Sequence, residues 1–153
     1  MRRLKIFLSG AMGDMTLDEM DEWRAHFVAA MRLANCCTDL VIDPVDFYNT
    51  AEDNHDSDKE YFRWELRNVM NSDLVVARVE DGFSSLGTMA EITTAFNYKI
   101  PVLLLVDRKD QEIHSFIEQM SDKKFEINNI RGLVKYIKHY YGLEPIDYYE
   151  ELT

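Results

Sequence analysis

Short apolar runs of strand length alternate along this chain with stretches of helical periodicity, and no other feature restricts its fold as strongly. The strand-like runs are residues 4–8, 40–42, 74–79, 102–106 and 125–127. Residues 17–34, 59–71, 87–98, 111–120 and 130–141 read as helices between them. In the first helix Thr16 stands at the N-cap, and Met20, Trp23, Phe27 and Met31 form one apolar stripe. Such alternation predicts an α/β chain with a mainly parallel sheet. The expected architecture is a flavodoxin- or Rossmann-like three-layer sandwich with five strands in the order 2-1-3-4-5. Ligands of such sheets sit at the strands' carboxyl ends, where the winding reverses between the first and third strands. The loops that meet there are residues 9–15 and 80–87.

The 153 residues, 46% of them hydrophobic, suit one domain over 1–153 with a single core. No run approaches the roughly 20 apolar residues that span a bilayer. The basic start, Met1-Arg2-Arg3-Leu4-Lys5-Ile6, leads into too short an apolar run for a signal peptide, so a cytoplasmic protein is expected. Cys36 and Cys37 are adjacent, read as reduced thiols, and have no second pair with which to build a metal site. His55 and His114 likewise lack a second ligand at metal spacing. A formal net charge of −11 speaks against a nucleic-acid polymer or an anionic membrane as partner. A small anion held by a helix N-terminus remains compatible with that charge.

Two glutamates stand where apolar residues belong. Glu91 lies one turn before Ala95, beside the apolar positions Ile92, Ala95 and Phe96. Glu65 falls among Phe62, Leu66, Val69 and Met70. Glutamate is seldom fully buried unless it is paired or functional. Pairing with Arg63, Arg67 or Arg78 would be the ordinary structural explanation. The chemical one is a pair of carboxylates in a shared, partly desolvated cleft, one ionised as nucleophile and one poised to move a proton.

Ser84-Ser85-Leu86-Gly87-Thr88 brings hydroxyls and a glycine to the start of the third long helix, where backbone N–H groups can hold a phosphate or a sugar hydroxyl. An ordinary N-cap would use the same residues. Ser9-Gly10-Ala11-Met12-Gly13 is a similar loop after the first strand. Neither is a Walker A sequence or a GxGxxG fingerprint, so no dinucleotide, ATP or other cofactor is expected. Phe47, Tyr48 and Trp64 are candidates to stack on a base.

With these residues in view, the chain resembles the nucleoside 2-deoxyribosyltransferase family and its relatives, the 2′-deoxynucleoside 5′-phosphate N-hydrolases. The likeness runs through Lys5-Ile6-Phe7-Leu8-Ser9-Gly10-Ala11-Met12 and Asn71-Ser72-Asp73-Leu74-Val75-Val76. Its most specific segment is Ser85-Leu86-Gly87-Thr88-Met89-Ala90-Glu91-Ile92, followed by Ala95 and Lys99-Ile100-Pro101-Val102. The resemblance implies that Glu91 is a nucleophile that attacks C1′ of the sugar, forms a glycosyl ester and releases the base. A second base, or water, then takes the sugar with net retention. Glu65 occupies the position of a family aspartate that holds the sugar and assists proton transfer. Ser9, Gly10, Ala11, Met12, Ser85, Gly87 and Thr88 would bind substrate. Ser115 resembles a position that a neighbouring subunit contributes in the hydrolases, which implies a homo-oligomer. The tail Tyr148-Tyr149-Glu150-Glu151 is a further segment that could cover a neighbour's site.

Two departures from the pattern matter. Phe7 stands where family members often carry a tyrosine that orients the nucleophile, so a hydroxyl from elsewhere, or none, must serve. Ser85 stands where transferases of free nucleosides often carry an aspartate. A serine at a helix N-terminus accepts a phosphate that a carboxylate would repel, which favours a 5′-monophosphate. The competing enzyme, a cytokinin-type phosphoribohydrolase, would require a Pro-Gly-Gly run where this chain has Phe83-Ser84-Ser85-Leu86. A phosphoacceptor receiver would require an acidic cluster after the first strand, where Ser9-Gly10-Ala11 stands. A non-catalytic nucleotide sensor would keep the same cleft without turnover.

Overall fold

The five strands Ile6–Ser9 (β1), Val41–Ile42 (β2), Leu74–Val79 (β3), Val102–Val106 (β4) and Lys123–Glu126 (β5) form one sheet, in a computed structural model describing residues 3–12, 16–49, 57–83 and 85–142. The side chains of Leu17 and of residues 47–49 lie outside that description. The order is β2-β1-β3-β4-β5 and every pairing is parallel. The helices are Leu17–Leu33 (α1), Pro44–Asn49 (α2), Asp58–Met70 (α3), Leu86–Asn97 (α4), Ser115–Met120 (α5) and Ile130–Tyr140 (α6). Among the described residues, no helix is long and apolar enough to cross a membrane.

Period-two geometry sorts the central strands between two cores. Ile6, Leu8, Leu74, Val76, Leu103 and Leu105 face α1 and α6, against Phe27, Met31, Leu133, Val134 and Ile137. Phe7, Val75, Ala77, Val79, Leu104 and Val106 face the other way, against Val69, Ile92, Ala95 and Ile117 of α3, α4 and α5. Helices therefore cover both faces, giving the three layers expected. Each fully buried aliphatic side chain contributes about 1.5–3 kcal/mol. A polar side chain in these layers therefore carries a desolvation cost unless a backbone group or an opposite charge meets it.

The ends of several elements differ from the expectation, for local reasons. A short helix, α2, lies between β2 and α3, a stretch to which neither strand nor helix was assigned from sequence. Asp43 accepts the Val45 N–H at 2.9 Å and Pro44 supplies a first helical residue that needs no donor. Helix α5 starts at Ser115 rather than at residue 111, because Gln111 is used otherwise. It is buried, donating to the Val79 carbonyl at 2.8 Å and accepting from the Asp107 N–H at 2.7 Å, so it ties the ends of β3 and β4 together. Phe62 and Phe96, expected on apolar faces, are 46% and 53% exposed. The inward face of α3 passes instead through Tyr61 and Val69, and that of α4 through Thr88, Glu91, Ile92 and Ala95.

Candidate active site

Glu91 is placed by the register of α4. Thr88, Glu91, Ile92 and Ala95 form its buried face at helical spacing, and Ile92 and Ala95 lock the turn against the sheet. The Glu91 side chain is thereby carried inside, with 5% of the residue exposed. Its Oε2 is fully enclosed and has no hydrogen-bond partner. Such an atom carries a desolvation cost with nothing to offset it, and cleft residues of this kind are candidates for chemistry.

Three elements bring groups to that carboxyl. From β1 comes Ser9, on the same side of the strand as Phe7 and paired in register with Ala77 of β3. Its buried hydroxyl makes no hydrogen bond of ordinary geometry, yet it faces Glu91 closely enough to favour the ionised carboxylate. From α3 comes Glu65, half-buried, whose Oε1 accepts the Tyr61 hydroxyl at 2.8 Å. From α1 comes Arg24, which is wholly buried. Its Nη1 donates to the Met20 carbonyl at 2.6 Å and its Nη2 to the Gly10 carbonyl at 3.3 Å. The Arg24 Nε lies 3.3 Å from Asp43 Oδ1, an ion-pair contact without hydrogen-bond geometry.

The charges pull against one another. Burial pushes the Glu91 carboxyl well above the usual carboxylate range, the neighbouring Glu65 pushes it further, and Arg24 and the Ser9 hydroxyl oppose both. Burial also raises Glu65, less strongly, against the Tyr61 hydroxyl and Arg24. Burial thus favours the protonated form of both carboxyls. Asp43 is pushed up to about 6 by burial, despite its contact with the Val45 amide and with Arg24. Desolvation lowers Arg24 although Asp43, Glu91 and Asp21 all favour its charge.

Ser85 caps α4. Its hydroxyl accepts the Thr88 N–H at 3.3 Å and donates to Thr88 Oγ1 at 3.1 Å. The Met89 N–H goes to the Ser85 carbonyl, and the amides of Leu86 and Gly87 precede the first residue that the helix ladder can serve. The loop leading to Ser85 is anchored at the carboxyl ends of β3 and β4. Arg78 meets Asp107 and the Leu105 carbonyl, Asp107 accepts the Asp81 N–H, and Arg108 pairs with Asp81.

Of the residues singled out from sequence, Ser9 and Glu65 lie against Glu91, and the carbonyl of Gly10, next to Ser9, is held by Arg24. Ala11 and Met12 follow as half-buried loop residues. Trp64 is half-buried and stacks on Tyr61, their centroids 6.0 Å apart. Thr88 is buried and Gly87 exposed in the first turn of α4. Ser115 is exposed at the start of α5 and makes no hydrogen bond to Glu91 or Glu65. The side chains of Phe47 and Tyr48, and Gly13, His55, Ser84 and the tail 148–151, lie outside the described residues.

Arg24, Asp43 and Tyr61 went unrecognised in the sequence. Arg24 carried a signal: at i+4 from Met20 and i−3 from Phe27 it stands in the apolar stripe of α1, as anomalous as either glutamate. Arg63 and Arg67 are exposed, and Arg78 ties the carboxyl ends of β3 and β4 together, so the cation at the glutamate pair comes from α1 instead. Among the described residues one acidic group could offer ligand atoms to a metal. The carboxylates of Asp21, Asp43 and Asp46 bring oxygens within 4.8 Å of one another, and Arg24 already meets that group at Asp43.

Neither a protein-family sequence profile nor a curated protein sequence matches the chain. Solved structures do. A 2-deoxyribosyltransferase from the psychrotolerant bacterium Bacillus psychrosaccharolyticus superposes with a TM-score of 0.64 at 14% identity, over 93% of this chain and 98% of its own. A conserved protein from Enterococcus faecalis gives a TM-score of 0.63 at 15% identity, over 88% of this chain and 98% of its own. A CMP N-glycosidase from Clostridium botulinum gives 0.57 at 14% identity, with the same 88% and 98% coverage. The chain thus has, over nearly its whole length, the α/β fold of the 2-deoxyribosyltransferase and of the CMP N-glycosidase.

Proposed function

We propose that this chain cleaves the N-glycosidic bond of a 2′-deoxynucleoside or its 5′-monophosphate through a glycosyl ester on Glu91, and passes the sugar to another nucleobase. The observation that carries the reading is the enclosed, unpartnered Glu91 Oε2 facing a second glutamate at the carboxyl end of the sheet. A shared fold with a 2-deoxyribosyltransferase and a CMP N-glycosidase supplies a suitable frame.

The chemistry balances on these two residues. With one proton shared by the pair, its residence on Glu65 leaves Glu91 a carboxylate to attack and Glu65 an acid to donate. The Glu91 oxygen bonds C1′ as the C1′–N bond breaks, and its electron pair departs with the base, which takes the proton from Glu65. An acceptor base nitrogen then attacks C1′, losing its proton to Glu65, and Glu91 leaves as carboxylate. Water in place of the acceptor gives hydrolysis instead.

Incubation with deoxyinosine, dIMP or CMP, with and without adenine or cytosine, separates the outcomes by chromatography of released and exchanged bases. Exchange that requires an acceptor supports the transferase. Release from a monophosphate alone supports a 5′-monophosphate N-hydrolase. Inertness of the wild type on every substrate would leave the nucleotide sensor in its place.

A specific observation favours a phosphate-bearing substrate. The α4 cap is a neutral serine at the positive end of the helix. Ser85→Asp is expected to keep the cap but to lower kcat/KM for the monophosphate by about tenfold relative to the nucleoside. An unchanged ratio would remove phosphate from the reading.

A further inference from the structure

We propose that Arg24 is a positioning residue of this site: it fixes the loop after β1 from behind and is the internal counterion over which Glu91, Glu65 and Asp43 compete. The inference rests on the reading of Glu91 as nucleophile and deepens it.

Among the described residues, Arg24 is the largest side chain that is wholly enclosed. A buried guanidinium is held only where its charge and donors are met, and here each partner belongs to a different element. Met20 anchors it to its own helix, Gly10 to the β1–α1 loop, and Asp43 to the β2–α2 junction. The guanidinium also lies over the Trp23 ring, 4.7 Å from the centroid. Together Trp23 and Arg24 form a wall against which the loop is pressed. A Cβ added at Gly10 would fall 3.0 Å from Trp23 Cζ2 and 3.4 Å from Arg24 Nη2. Gly10 follows Ser9, so the contact that sets the loop also sets the hydroxyl facing Glu91.

The second route is through charge. Facing Arg24 are Asp43, Glu91 from α4, Asp21 from its own helix and the Tyr61 hydroxyl from α3. Facing Glu91 are Glu65 from α3, Arg24 from α1 and the Ser9 hydroxyl from β1. Arg24 is thus the cation that opposes the desolvation of Glu91, and Asp43, when ionised, draws on the same charge. A guanidinium spreads five donors over a rigid planar fork that reaches Met20, Gly10 and Asp43 together, whereas a lysine ammonium gathers its three donors on one compact nitrogen.

A residue buried for packing alone would leave the protonation of Glu91 unmoved when replaced by an apolar side chain of similar length. The test follows the Glu91 carboxyl by carbon-13 NMR in glutamate-labelled protein, with Glu91→Gln identifying the resonance, across pH in wild type, Arg24→Met, Arg24→Lys and Asp43→Asn. Arg24→Met is expected to move the Glu91 midpoint upward. Asp43→Asn keeps an acceptor for the Val45 amide, removes the competing charge, and is expected to move the midpoint downward. Arg24→Lys should restore most of the midpoint without restoring the loop. In turnover on a monophosphate, Arg24→Met is expected to lose about 100-fold in kcat. KM should change little, and the alkaline limb of the pH profile, where the glutamate pair loses its last proton, should move as the midpoint does.

A folded Arg24→Met with the wild-type midpoint and wild-type kcat overturns the proposal. If that variant does not fold, Asp43→Asn decides: a midpoint that stays or rises overturns it. The titration needs no turnover. A wild type inert on all substrates therefore overturns the nucleophile, while the midpoints still decide whether Arg24 governs the charge on Glu91.

Discussion

Glu91→Gln is expected to fold normally and to lose glycosyl transfer by on the order of 10⁴-fold in kcat or more, as removal of a nucleophile does elsewhere. The amide has nearly the shape of a protonated carboxyl, the form that burial favours at Glu91, so the surroundings have nothing new to accommodate. It cannot become a carboxylate, and no ester forms. Glu65→Gln should behave differently. It keeps an oxygen to accept the Tyr61 hydroxyl but can no longer donate a proton, which should cost about 10²–10⁴-fold. That loss should shrink for bases that leave readily without protonation. Base release by chromatography gives the rates, and mass spectrometry of quenched wild type should find the sugar on the peptide containing Glu91. Wild-type turnover in Glu91→Gln would refute the nucleophile outright. Because the pair needs one carboxylate and one acid together, wild-type kcat should be bell-shaped in pH, rising as the pair loses its first proton and falling, above the ordinary carboxylate range, as it loses the last.

How much of this was legible in the residues varies with the physics behind each feature. The bounds of β3 and β4 coincide with the apolar runs 74–79 and 102–106, since strands buried on both faces need such runs and nothing else ends them. Thr16 forms its capping box with Glu19, a purely local arrangement. Helix α2 was missed although Asp43-Pro44 is a start signal, because only six residues follow and no periodicity can develop. The α3 face was misassigned because Tyr61 and Phe62 are adjacent aromatics, and one residue turns the helix by about 100°. The tertiary electrostatics were not legible at all. Glu91, Glu65, Arg24 and Asp43 come from four separate elements, and only folding shows that one cation serves three carboxyl groups. The hydroxyl missing at Phe7 is a related case. Ser9, on the same side of β1, now faces Glu91, and Tyr61 holds Glu65.

The same burial that equips Glu91 should make the protein less stable as pH rises. A carboxyl whose folded-state pKa lies above its unfolded value binds more protons in the native state between the two. Its stabilising effect is complete below the unfolded pKa, near 4.3, and is lost as pH climbs through the raised native value. Each tenfold difference in proton affinity is worth about 1.4 kcal/mol. Glu65 and Asp43 are raised as well, Asp43 to about 6, and tilt the curve in the same direction. Glu91→Gln removes the steepest contribution and leaves the others in place, so the difference between the two proteins isolates Glu91. The variant should melt several degrees above wild type at pH 8, at about 2–4 °C per kcal/mol for a chain of this size. The gap should close as pH falls toward 4. A gap constant with pH would mean that Glu91 titrates alike in the folded and unfolded chain, and that the desolvation assigned to it is absent. Loss of turnover together with a gain in stability at alkaline pH is the signature of a carboxylate that is kept in its costly position for chemistry rather than for folding.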